Sequence, residues 1–140
     1  MIGFGRRRRL GIALMCSDWR LHQARVDLNG KIADALKVHG VDVVAVPGPD
    51  GLLAPARETE WRSAIRQVAV LNKAHAPAAL AVVAHQRCAG HAVSDDEHET
   101  DVHATARALK EALRFPGRVT AFVATYKSDS RWGLKKIADV

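Results

Sequence analysis

Cysteine is nearly missing from this chain: Cys16 and Cys88 are the only two in 140 residues. Two are too few for a disulfide framework, and no feature marks the chain as secreted. A reducing cytoplasm is therefore the expected location, where thiols serve mainly metal binding or catalysis. Aromatic residues are scarce at 5% and are not interleaved with the basic run, so no base-stacking nucleic-acid platform is expected. No apolar stretch approaches the roughly 20 residues of a membrane span. The Arg6–Arg9 run before a short apolar stretch imitates a signal peptide, but Asp18 and Arg20 follow at once and Met15 is a poor cleavage position. Export is not expected. There is no internal repeat and no low-complexity linker.

The net charge is +6, and part of the excess is that single arginine run. Residues 1–9 read as a solvated basic arm, and residues 10–140 as one domain with one core. Within the latter, short apolar runs alternate with helical periodicity. Leu10 to Met15, Val41 to Val46, Ala78 to Ala84 and Val119 to Thr125 read as strands. Helices are predicted over about 26–39, 60–75 and 99–114, the first ending at Gly40. Residues 126–140 read as a tail that adds an edge strand or a short helix. The alternation predicts a three-layer α/β fold: a mostly parallel sheet of four or five strands, with helices on both faces.

The chemistry-bearing residues sit where two apolar runs stop. Met15-Cys16-Ser17-Asp18-Trp19-Arg20 follows the first run, and His85-Gln86-Arg87-Cys88 follows the third. In an open α/β sheet, ligands bind beyond the carboxyl ends of the strands, where strand order reverses. If the two runs are neighbouring strands, Cys16, His85 and Cys88 emerge at one edge. Two thiolates and an imidazole suit zinc. Three protein ligands also leave a fourth tetrahedral position for water, the mark of a catalytic site.

Cys-Ser-Asp-x-Arg after one strand, paired with His-x-x-Cys after a later one, resembles the β-class carbonic anhydrases. The resemblance runs from Leu10 onward and marks a short, divergent member. It implies a zinc ion held by Cys16, His85 and Cys88, with Asp18 and Arg20 as a dyad beside it. It also implies reversible hydration of carbon dioxide to bicarbonate by a zinc-bound hydroxide, in a homodimer or higher homo-oligomer. Asp18 would accept the hydroxide proton while Arg20 holds it in place. Released from Arg20, Asp18 would become a fourth metal ligand and close the site. His91 and His22 are candidates for relaying the departing proton. Gly90 is a candidate for the substrate pocket, and Trp19 either covers the site or fills core.

Two local departures from the family stand out. Its Arg-Asn-Ala-Gly-like segment after the second strand reads Val46-Pro47-Gly48-Pro49-Asp50 here, and the glycine after His-x-x-Cys is displaced by one, to Gly90. The helical arm that embraces a partner subunit in many members is essentially absent. Two alternative functions follow: a zinc hydrolase of another small linear molecule, carbonyl sulfide or carbon disulfide, or a non-catalytic zinc-binding regulatory module.

Overall fold

The computed structural model describes residues 8–140. Most of the predicted basic arm, including Arg6 and Arg7, lies outside the described residues. Arg8 and Arg9 are exposed, and Arg9 is tied to His39 by a backbone hydrogen bond of 2.8 Å.

Apolar runs form the centre of the sheet because they are buried on both faces. Strand β1 (Leu10–Met15) is buried along almost all its length and β3 (Ala79–His85) along all of it. These two pair in parallel, as do β1 with β2 (Gly40–Ala45) and β3 with β4 (Arg118–Ser128). The fifth strand, β5 (Arg131–Asp139), pairs antiparallel with β4. The order is β2-β1-β3-β4-β5. From β1 the chain moves outward to β2, then crosses back to β3 on the other side of β1. Strand order therefore reverses between β1 and β3, and the crevice at their carboxyl ends is the switch point.

Helices cover both faces, as the alternation predicts. On one side, Leu28, Ile32 and Leu36 of α1 (Leu28–Leu36) pack with Ala13, Met15, Ala81 and Val83. On the other, Ala64 and Val68 of α2 (Glu58–His75) and Val102, Ala106 and Leu109 of α3 (Asp95–Leu113) pack with Ile12, Leu14, Leu80 and Val82. Each fully buried aliphatic side chain contributes about 1.5–3 kcal/mol to this layering.

Three element boundaries differ from the sequence reading. Helix α1 ends at Leu36, before Gly40, because Lys37 takes a left-handed conformation (φ 59°) and returns its N–H to Asp34 and Ala33. Gly40 instead opens β2. Helix α3 starts at Asp95, four residues early, because Ser94 and Glu97 form a complete capping box. The tail is an edge strand with no helix, and a hairpin turn at Asp129 joins it to an extended β4. None of the described helices is long and apolar enough to cross a membrane.

Candidate metal centre

Cys16 is the first residue beyond β1, His85 the last of β3, and Cys88 lies one turn further on. Because β1 and β3 are neighbours, the three side chains converge: one ligand atom from each lies within 4.8 Å of the other two. All three residues are buried, and both cysteines are free. The sulfurs are 4.0 Å apart. Two thiolates on one tetrahedral zinc, at about 2.3 Å each, sit about 3.8 Å apart, so the spacing fits.

His85 supplies the second test of fit. Its Nδ1 donates to the Gln86 carbonyl at 2.7 Å, which fixes the tautomer and leaves an Nε2 lone pair. That Nε2 is buried and has no hydrogen-bond partner among the described residues. An orphaned nitrogen costs about 1–3 kcal/mol of desolvation, and a metal ion would offset that cost. Of the two thiols, Cys16 is the one biased toward the thiolate that a metal would need. The Cys88 thiol donates to Cys16 and, against burial, holds the Cys16 pKa well below the usual thiol range; His85 and the Gly48 N–H assist. Facing that thiolate in a buried place, Cys88 is pushed up. Burial disfavours a charged His85, but the Cys16 thiolate outweighs it and raises the ring's pKa.

Beside this cluster, Asp18 and Arg20 form a forked ion pair. Arg20 Nη2 donates to Asp18 Oδ2 at 2.7 Å, Nε reaches both carboxylate oxygens at 3.1 and 3.2 Å, and the Arg20 backbone N–H adds a bond of 2.9 Å. The side-chain bonds from Arg20 are the main reason that the Asp18 carboxyl is held below the ordinary range. Asp18 Oδ2 lies 3.9 Å from the orphaned His85 Nε2. Arg20 is itself anchored. It donates to the Arg87 carbonyl at 3.0 Å, meets Asp129 at 3.5 Å and lies over the Trp132 ring at 5.3 Å. Trp132 also packs edge-on against His85, with centroids 5.6 Å apart.

A cavity of about 670 Å³ opens above the cluster, walled by Cys16, Asp18, Arg20, Pro47, Gly90 and Asp129 among others. The two departures noted in the sequence meet in its wall. A side-chain carbon on Gly48 would stand 2.6 Å from the Gly90 carbonyl carbon, and one on Gly90 would stand 2.8 Å from the Gly48 nitrogen. Gly48 also has φ +48°. The displaced glycine and the altered segment are thus complementary: each lets the other's backbone approach. Arg57 holds the arrangement by donating to the Gly48 carbonyl at 2.8 Å. Gly48→Ala is therefore expected to lower unfolding stability by about 2 kcal/mol or more, from left-handed strain plus displacement of the Gly90 segment. Urea denaturation measures this directly.

Not every residue singled out in the sequence joins the site. Trp19 is 67% exposed on the cavity rim and fills no core. His22 is exposed and its Nε2 bonds the Cys16 carbonyl at 2.7 Å. His91 Nε2 is engaged by Asp101 at 2.7 Å. Neither histidine lines the cavity that contains Cys16. Sequence reasoning allowed for an edge strand in the tail but missed that the β4–β5 hairpin reaches the site, where Asp129, Tyr126 and Trp132 brace Arg20. The Ser128-Asp129-Ser130 turn flanked by two aromatics was the available signal.

A five-stranded α/β sheet with a Cys, His, Cys cluster at its switch point presents a group of side chains that could hold a metal ion. The family model described as "Putative carbonic anhydrase" matches residues 6–136, and the chain belongs to that family. Among solved structures, a carbonic anhydrase from Streptococcus mutans superposes with a TM-score of 0.57 at 14% identity, covering 91% of this chain and 81% of that one. At that identity the likeness concerns the fold alone. No curated protein sequence matches the chain.

Proposed function

We propose that the protein catalyses reversible hydration of carbon dioxide to bicarbonate, with zinc held by Cys16, His85 and Cys88. One observation carries this reading: a carboxylate locked by a forked arginine stands 3.9 Å from the orphaned histidine nitrogen, on the wall of an accessible cavity. Zinc held there would supply a bound water with its pKa lowered towards about 7. Two thiolates weaken that effect, which makes a well-placed hydrogen-bond acceptor valuable. Asp18 takes that part: ionised, it would accept a hydrogen bond from the attacking oxygen and so orient that oxygen's lone pair toward the substrate carbon. Arg20 keeps Asp18 charged and orients it, and the hairpin holds Arg20. With Arg20 engaged, Asp18 is kept from acting as a fourth ligand, which supports an open site. Pro47, Ala89 and Gly90 form a weakly polar wall suited to a small linear molecule. The same reading extends to a homodimer in a reducing cytoplasm, where both thiols stay free.

Stopped-flow assays with carbon dioxide, carbonyl sulfide and carbon disulfide test the proposal. Turnover of carbon dioxide is expected. Turnover of either sulfur compound alone would assign the site to the hydrolase alternative. Stoichiometric zinc with no turnover from neutral to alkaline pH would make the protein a non-catalytic module.

A further inference from the structure

A second cluster of ligating side chains lies outside the cysteine site. The segment after β2, the loop after β3 and helix α3 bring together Asp50, His91 and Asp101, with one ligand atom of each within 4.8 Å of the others. His91 Nε2 is 2.7 Å from Asp101 Oδ2 and 4.0 Å from Asp50 Oδ2. The Asp50 side chain is wholly buried, its Oδ2 receiving a hydrogen bond from His98 Nδ1 at 2.6 Å. Its other oxygen, Oδ1, has no hydrogen-bond partner among the described residues. Burying a carboxylate with a free oxygen is costly unless the group is neutralised or meets a cation. Burial accordingly pushes the Asp50 carboxyl up, with His98 and His91 opposing.

We infer that Asp50, His91 and Asp101 form a binding site for a divalent cation of the zinc or manganese type, with His98 orienting Asp50. The donor set is two carboxylates and one imidazole, without sulfur. Such a set favours harder cations than the cysteine cluster does. The His98–Asp50 bond is the outer-shell support that ligating carboxylates normally have. Metal–ligand bonds of about 2.0–2.2 Å place neighbouring donors about 3 Å apart. The 2.7 and 4.0 Å spacings bracket that value, so closure needs shifts of about an ångström. A cavity of about 270 Å³, lined by Asp50, His91 and Asp101 among others, gives access and room for water ligands. Gly51 contributes by having no side chain: a carbon there would stand 2.6 Å from His91 Nδ1. A bound cation ties the segment carrying Gly48 to the one carrying Gly90, so its occupancy stiffens the wall of the first cavity.

The test is equilibrium dialysis of full-length protein against Zn2+ under reducing conditions, followed by elemental analysis. The Asp101→Asn variant is expected to bind one ion fewer per chain than the wild type. His91→Ala should show the same loss. Because Asp101 is partly exposed on a helix surface, its amide variant is expected to fold. A rise in melting temperature on adding Mn2+ should appear in Cys16→Ser protein and vanish in the Cys16→Ser, Asp101→Asn double variant. Equal zinc content in Asp101→Asn and wild type would overturn the inference. So would a Mn2+-induced shift that survives in the double variant. The cysteine site is scored separately by Cys16→Ser, so failure of one site is distinguishable from failure of the other.

Discussion

Cys16→Ser is expected to abolish carbon dioxide hydration and to remove the sulfur-bound metal. Serine nearly matches the volume of cysteine, and Cys16 sits at a strand end, so the fold should survive. What disappears is a thiolate. The Cys88 thiol loses the acceptor that it faces at 4.0 Å, and the cluster retains one sulfur and one imidazole. Loss of an outer-shell partner alone weakens metal sites by about 10–100-fold, and loss of a ligand should exceed that. Cobalt substitution gives the readout. The wild type should develop a strong thiolate-to-cobalt absorption band in the near ultraviolet, and the variant should show little of it. Circular dichroism that matches the wild type would assign the loss to the metal centre and not to unfolding.

The second large effect belongs to Asp18. Asp18→Ala should reduce turnover by about 100- to 10,000-fold, the range of a well-placed proton acceptor, while metal content stays near that of the wild type. The pH dependence sharpens this. Arg20 depresses the Asp18 pKa, so the carboxylate stays charged from neutral to alkaline pH and does not titrate in that window. A rise in wild-type activity with pH must therefore report a group other than Asp18, and the residual activity of Asp18→Asn should rise over the same interval. If turnover survives in Asp18→Ala, Asp18 and Arg20 have no catalytic part. If zinc is lost together with activity, Asp18 acts by supporting the metal.

The sequence carried the site's centre more clearly than its supports. Leu10 to Met15 and Ala78 to Ala84 are apolar on every residue, so their role as central strands was legible, and the position of Cys16, His85 and Cys88 followed from strand adjacency. The bracing of Arg20 was not legible. It depends on a hairpin 109 residues away in sequence, at Asp129, and on β5 pairing antiparallel with β4. The early start of α3 was written locally, in Ser94 and Glu97, but the polar run from His85 onward masked it as loop. The Asp50–His98 pair had no local signal at all. Those residues lie 48 positions apart and meet only because α3 packs against the segment after β2. Local periodicity identifies which residues end a strand. It does not identify which surface turns fold back to hold them.

X-ray absorption at the zinc edge tests the central claim most directly, on reduced protein loaded with a single equivalent of zinc. The expected first shell holds two sulfurs at about 2.3 Å and nitrogen or oxygen ligands at about 2.0–2.1 Å. A shell of nitrogen and oxygen alone, or protein that retains no zinc under those conditions, would contradict it.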